Sequence, residues 1–343
     1  MTKRSLFFPA GRWLILFAAI SGCNRSPDQS RSASVDKSAA ASKERLTIAV
    51  IPKAVGGEFW ETVEQGARDA ARELDVDIKW EGALTETELA EQNKIIENMV
   101  NLDVDGMALA PLSNRTMRRP VEDAVEAGIP VVIFDSAVDG DSHISFVATD
   151  NRAGGALAGK FLIDRLGESK KRLFLLRFIQ GTASTEERAQ GFLETVEAAG
   201  FEVLASPNTE DATVAGAIKT ASNTLERFVK DGKLEIDGMF ATNLYSTEGL
   251  LEALKDLRKS GVQVNVVFVG FDTNPKLIEE MNEGNIDAMV SQKPQRMGYL
   301  AVETIVKHLR GEKVEPRIDT GVEMVTAERL KNEPEIRKLV GLE

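Results

Sequence analysis

From Leu46 onward, short apolar runs alternate with longer stretches whose apolar positions fall on one helical face. The run at 46–51 (LTIAVI) is apolar on both sides of an extended chain and predicts a buried strand. Phe59, Val63, Ala67, Ala70, Ala71 and Leu74 then recur at helical spacing. The pattern continues with strands over 76–80, 104–109, 131–134 and 144–148, and helices over 86–101 and 114–127, the second stopped at Gly128. After Asp150 it restarts: a helix over 151–166, a strand over 173–178 and a helix over 184–199 closed by Gly200. Strands over 201–204, 236–241 and 264–269 follow, with helices between. Alternation of this kind predicts βαβ units, and hence mainly parallel sheets covered by helices on both faces.

Two local echoes divide the pattern into halves. Val104-Asp105-Gly106-Met107 returns as Ile236-Asp237-Gly238-Met239, each opening a strand. Gly128-Ile129, before a strand ending in Asp135, returns as Gly261-Val262 before a strand ending in Asp272. The expected architecture is α/β, two doubly wound parallel-sheet lobes in tandem. The tail at 326–343 carries no motif and is expected to form one amphipathic helix on the second lobe.

The N-terminal end sets the compartment. Lys3, Arg4 and Arg12 precede a short apolar run, 13–20. A membrane-spanning helix needs roughly 20 apolar residues, so this run fits the h-region of a secretory signal instead. It ends in Ile20-Ser21-Gly22-Cys23, which resembles a bacterial lipobox with Cys23 as the lipidation site. Cys23 is the only cysteine, which excludes disulfides and thiolate metal clusters. The Ser- and Ala-rich segment after it buries too little to offset its ordering entropy and reads as a tether over 23–45. The chain carries a net charge of −12, and loss of residues 1–22, with three basic and no acidic side chains, makes it more negative. Nucleic acid binding needs clustered Lys and Arg, so it is excluded as a function.

In open parallel sheets, ligands sit beyond the carboxyl ends of the strands. The residues following the apolar runs are Lys53 and Gly57 to Trp60, then Ala110, Asp135-Ser136 and Thr149-Asp150-Asn151. In the second half they are Gln180-Gly181-Thr182, Asn243, Asp272 and Ser291-Gln292. Carboxylates and amides at these ends suit vicinal hydroxyls, and an aromatic face suits apolar C–H patches, so a polyhydroxylated ligand is expected. Each residue also has a structural reading. Asp135 or Asp272 suits a helix cap, Phe59 and Trp60 suit the core, and Arg188 suits a surface ion pair with Glu186 or Glu187. An enzyme is not expected: His143 and His308 stand apart from any carboxylate cluster, and no metal-ligand spacing occurs. Gly154 to Lys160 approaches a phosphate-binding loop, but Phe161 occupies its hydroxyl position and the glycines fall inside a helix.

These strand ends are similar to those of the type 1 periplasmic binding proteins of sugar ABC transporters, the ribose-binding-like group, over about 46–318. The matching segments are Ile48-Ala49-Val50 to Phe59-Trp60, 131–135, Ala148 to Asn151 with Gly154-Gly155, and Gly181-Thr182 to Arg188 with Gly191-Phe192. Further matches are 240–243, Val269 to Asp272, and Ser291-Gln292. The resemblance implies that Phe59 and Trp60 stack on one sugar face. It implies that Asp135, Arg188, Asn243, Asp272 and Gln292 ring the hydroxyls, and that Thr149 adds a contact at a hinge crossing. Lys53, Gly57, Ala110 and Ser136 depart from the ribose-binding pattern, which has a small hydroxyl residue, two asparagines and an arginine there. Lys53 either replaces that arginine or meets an anionic group, and Tyr245 is the candidate for the second aromatic face. The departures point away from D-ribose and toward another sugar or a sugar alcohol.

The resemblance further implies a three-strand hinge, with an N-terminal lobe of 46–149 plus 293–318 and a C-terminal lobe of 150–292 plus 319–343. It implies no cofactor or metal, an ABC transporter permease as partner, and a monomer held at the extracytoplasmic face by its lipid anchor. A ligand-sensing receptor subunit for chemotaxis or signalling is the alternative output of the same fold. A regulator of the lactose-repressor type would need a DNA-binding headpiece before Leu46, where the lipobox and tether stand instead.

Overall fold

The computed structural model describes residues 45–168 and 171–342. The leader, Cys23 and all of the expected tether except Arg45 lie outside the described residues. Arg45 ion-pairs with Asp75 and Asp77, each at 3.0 Å.

The first lobe winds β1 (Thr47–Ile51), α1 (Glu58–Leu74), β2 (Asp77–Trp80), α2 (Leu89–Asn101), β3 (Gly106–Leu109), α3 (Arg118–Glu126), β4 (Val131–Phe134) and β5 (Ser145–Ala148). The second continues with α4 (Asn151–Leu166), β6 (Arg172–Leu176), α5 (Ala183–Ala198), β7 (Glu202–Ala205) and α6 (Val214–Leu225). A small antiparallel hairpin, β8 (Val229–Lys230) and β9 (Lys233–Leu234), precedes β10 (Gly238–Ala241), α7 (Leu244–Lys259), β11 (Val267–Phe271), α8 (Pro275–Asn282) and β12 (Ala288–Gln292). Then α9 (Pro294–Leu309) and β13 (Arg317–Asp319) return to the first lobe. The chain ends with β14 (Val322–Val325), α10 (Ala327–Asn332) and α11 (Pro334–Leu339) in the second.

The two six-stranded sheets run β13-β5-β4-β3-β1-β2 and β14-β12-β11-β10-β6-β7. The first is wholly parallel, and the second differs only in its antiparallel edge strand β14. Matched in order, the lists make β3 the counterpart of β10 and β4 the counterpart of β11. Those are the strands that the sequence echoes open. The echo has a physical purpose. Asp105, ahead of β3, accepts the Thr47 N–H at 2.7 Å, and Asp237, ahead of β10, accepts the Arg172 N–H at 3.1 Å. Each carboxylate thus ties the start of a central strand to its neighbour.

The chain passes between the sheets three times, from β5 to α4, from β12 to α9 and from β13 to β14. After each of the first two passages a helix packs on the opposite lobe, α4 against α5 and α9 against α1. Both contacts are close because glycines face backbone. A Cβ on Gly155 would stand 1.9 Å from the Arg188 carbonyl oxygen, and one on Gly191 2.0 Å from that of Arg152. In the first lobe the corresponding figures are 1.8 Å for Gly66 against Gln295 and 2.0 Å for Gly298 against Val63. Gly154, Gly155 and Gly159 therefore serve helix packing inside α4.

Several elements depart from their expected bounds. The 86–101 helix begins only at Leu89, because the Glu88 carboxylate turns back to accept the Leu84 and Thr85 N–H groups at 2.8 and 2.9 Å. The tail forms two short helices rather than one. Pro334 has no N–H to continue α10 and opens α11, while Leu330 and Ile336 still anchor both in the second lobe's core. The β8–β9 hairpin turns at Asp231-Gly232, both with positive φ (49° and 73°).

Candidate functional site

The carboxyl ends of the parallel strands in both sheets face one cleft. Lys53 and Gly57 reach it from the β1–α1 loop, and Phe59 and Trp60 from the first turn of α1. Asp135 follows β4, Asn243 follows β10, Asp272 follows β11 and Gln292 closes β12. Arg188 projects from α5, beside Thr182, Ser184 and Thr185.

Asp135 and Asp272 occupy equivalent places and share an unusual backbone. Both have left-handed φ, 61° and 69°, and both donate their N–H to the next strand, to Val147 at 3.1 Å and Val290 at 2.8 Å. Asp tolerates this region better than most side chains. The twist turns each carboxylate off its strand and into the cleft. No helix stands between Asp135 and β5, and α8 after Asp272 is capped by Asn274 instead, which accepts the Leu277 N–H at 2.8 Å.

Their partners differ. The Lys53 ammonium lies 2.6 Å from Asp135 Oδ2, with both side chains almost fully buried. The contact matches the two charges directly. Asp272 accepts Gln292 Nε2 at 2.8 Å and the Leu244 N–H, the first of α7, at 3.2 Å. Burial pushes its carboxyl above the ordinary Asp range, and Arg188, 4.0 Å away, pulls it back. Gln292 Oε1 is buried without a donor.

Arg188 is 2 % exposed, so it is no surface ion pair, and Glu186 instead pairs with Arg177. Its Nε donates to Asn151 Oδ1 at 2.8 Å and its Nη1 to the Thr242 carbonyl at 3.0 Å. The guanidinium rests 3.8 Å from the Phe271 ring centroid, a cation–π contact that a lysine would not reproduce with the same fork. Burial lowers its pKa, with Asp272 the strongest opposing charge.

The aromatic wall serves two purposes. Trp60 packs edge-on against Phe59 and Phe134 in the first lobe's core, with centroids 5.0 and 6.4 Å apart, and still lines the cleft. Across the cleft, Tyr245 stacks on Phe178 at 5.9 Å and approaches Gly57, where a Cβ would stand 3.4 Å from its hydroxyl. Burial, and next the Glu86 charge, push the Tyr245 phenol up to about 12. Asn243, which lines the cleft, caps α7 with its Oδ1 on the Ser246 N–H.

Of the nine expected contact residues the structure brings eight together. Thr149 is the exception: it is fully buried between the lobes, with its hydroxyl 3.2 Å from that of Thr320. Its place at the first passage, beside β13, turns it to the hinge instead of the cleft. Ser136 and Ala110 do not line the cleft either. Sequence reasoning missed Ser184, Thr185 and Leu244 in this cleft, and also Glu86, which accepts the Trp60 indole N–H at 3.0 Å. Read as the opening of a helix, it looked like an ordinary acidic first-turn residue. Glu86 is half-buried, and burial raises its pKa against the pull of Lys53.

The lobes touch across this cleft. Lys53 donates to Ser184 Oγ at 3.3 Å, and the Ser184 N–H donates to Ser136 Oγ at 3.0 Å.

Comparison with known proteins places the chain. Residues 48–313 match the family model described as periplasmic binding protein domain. The ribose import binding protein of Haemophilus influenzae is 30% identical over 286 residues, 82% of this chain and 91% of its own. A carbohydrate transporter solute binding protein from Agrobacterium radiobacter, solved with D-arabinose, superposes with a TM-score of 0.79 at 29% identity, covering 87% of this chain and all of that one. An ABC transporter solute binding protein from Agrobacterium vitis with bound D-fucose gives 0.76 at 32% identity, covering 86% and 99%. With matching strand order, cleft and sequence along most of its length, the chain belongs to the periplasmic binding protein family, in the group that includes the ribose import binding proteins.

Proposed function

We propose that this protein captures a small polyhydroxylated ligand, a sugar or sugar alcohol, by closure of its two lobes and delivers it to an ABC transporter permease. The observation that carries this reading is the composition of the cleft. Carboxylates, amides and a buried guanidinium from both lobes meet between the Phe59–Trp60 wall and Tyr245. Such groups pair with vicinal hydroxyls, and aromatic faces cover the C–H patches between them. The relatives named for ribose, and those solved with D-arabinose and D-fucose, support the same ligand class. Contacts from both lobes favour the closed state in the presence of ligand.

The charge pattern narrows the class. Lys53 is already matched by Asp135 at 2.6 Å, so it is not the receptor for an anionic group. The departures from the ribose pattern at Lys53 and Ser136 become a linked change: the cation comes from the β1–α1 loop, and the small Ser136 makes room for Ser184. The Cys23 lipobox supports attachment to the membrane at the extracytoplasmic face, with the 23–45 segment as tether and the binding unit monomeric.

The test is a thermal-shift and calorimetric screen of pentoses, hexoses, polyols and sugar acids against the purified protein. A neutral sugar or polyol should bind. Asp272→Ala should weaken it about a hundredfold, since it removes a buried acceptor and strands Arg188, and Trp60→Ala about tenfold. Binding of no member, or undiminished binding in both variants, would overturn the reading.

A further inference from the structure

The charged groups lining the cleft do not balance. Lys53 pairs with Asp135, and Arg188 faces Asp272, which is further held by Gln292 and the Leu244 N–H. That leaves Glu86, whose carboxylate forms no ion pair among the described residues and accepts only the neutral Trp60 indole N–H. A half-buried carboxylate with no cation paired to it is left for solvent or ligand to compensate.

Unused hydrogen-bonding capacity leans the same way. Gln292 Oε1 lines this cleft as a buried acceptor without a donor. The cleft therefore asks for donors, and Glu86 adds a negative charge without a paired cation among the described residues. An ammonium group supplies three donors and no acceptor, whereas a carboxylate or phosphate on the ligand would bring more acceptors.

Glu86 is also held in place. Its loop is tied on both sides: the Glu88 carboxylate accepts the Leu84 and Thr85 N–H groups at 2.8 and 2.9 Å, and Val55 donates to the Ala83 carbonyl at 3.0 Å. Gly82 passes so close to Pro52 that a Cβ would stand 2.8 Å from its ring. A group fixed in this way, beside the Trp60 indole, is organised before any ligand arrives.

We infer that Glu86 is a specificity-determining residue that receives a protonated amine on the ligand, so that the site favours an amino sugar or amino polyol over its neutral parent. The inference rests on the sugar-site reading above and narrows it.

Matched pairs test it: D-glucosamine with D-glucose, D-galactosamine with D-galactose, and 1-amino-1-deoxy-D-sorbitol with D-sorbitol, by calorimetry on the purified protein at neutral pH. At least one amino member should bind about tenfold or more tightly than its parent. Glu86→Gln keeps an oxygen to accept the Trp60 indole N–H and removes the charge, so it should erase that preference, weakening the amino member about tenfold more than its parent. Unchanged tryptophan fluorescence of the variant would show that the Trp60 wall stands as before. If neutral sugars bind and no amino counterpart binds better, the inference fails while the sugar site stands. Equal loss of both members in Glu86→Gln would reduce Glu86 to a support for Trp60. If no neutral or amino ligand binds, both readings fall together.

Discussion

Asp135 and Asp272 show how one local device yields two different groups. Each turns into the cleft through a left-handed residue at the end of an equivalent strand. Asp135 meets an ammonium at 2.6 Å, whereas Asp272 meets an amide, a backbone N–H and a guanidinium at 4.0 Å. Burial consequently wins at Asp272 and its pKa rises. A group whose folded pKa is raised holds more protons than the unfolded chain above the ordinary value of about 3.9, so its contribution to stability falls as pH rises through that window. Ligand binding reverses the balance. A hydroxyl donating to the carboxylate favours the charged form, so the complex holds fewer protons than the free protein. Binding should release protons in mildly acidic solution, and affinity should fall as pH drops toward the ordinary carboxylate range. Calorimetry at about pH 5 in two buffers of different ionisation enthalpy reads this directly. An affinity that stays flat from pH 7 to about 4.5 would count against Asp272 as a contact.

At the scale of elements, the helices entered after the first two passages between sheets set the cleft's geometry. Gly155 of α4 lies under the Arg188 carbonyl, so the seat of α5, and with it the guanidinium, depends on a missing methyl. Gly155→Ala forces α4 and α5 apart, and it should destabilise the protein by about 1–3 kcal/mol, as overpacking generally does. Chemical denaturation reads the loss, and weaker ligand binding should accompany it because Arg188 moves. Gly128→Ala is a poor control because of its φ of 91°; Ala156→Ser, on the half-buried side of α4, is a better one. The central strands were legible in the sequence because each is an apolar run bounded by polar residues, whereas the short β8, β9, β13 and β14, which carry charged positions, were not; the pairing of lobes was legible because Asp105 and Asp237 perform the same tie. Pro334 and Asp231-Gly232 were legible too, as a helix break and a turn, had local punctuation been weighed beside periodicity. Glu86 was not. It follows an edge strand, and only the folded path of the tied loop carries it back to Trp60. Thr149 failed for a related reason: adjacency to a strand end does not say whether a side chain faces cleft or hinge, and Thr320, distant in sequence, decides it.

For the whole molecule, the question is what holds the lobes together before and after a ligand is present. One contact spans the cleft from Ser136, which does not line it, to Ser184, which does. The expected cap of α5, Thr182, accepts no first-turn N–H, and the Ser184 N–H is instead accepted at 3.0 Å by Ser136 on the opposite lobe. A helix start left uncapped within its own lobe is thus capped by closure. In an open form water can take that N–H, so losing Ser136 Oγ costs nothing there. In the closed form, where Ser136 is 1 % exposed, the same loss leaves a buried donor unsatisfied, at about 1–3 kcal/mol. Ser136→Ala should therefore shift the equilibrium toward open and weaken ligand binding by about tenfold or more, although the side chain touches no ligand. The variant should melt close to the parent without ligand, gain less from ligand, and show a larger radius of gyration at subsaturating ligand. Unchanged affinity in Ser136→Ala would mean that closure draws nothing from this contact, and would leave the Lys53–Ser184 bond as the remaining direct hydrogen bond between the lobes at the cleft.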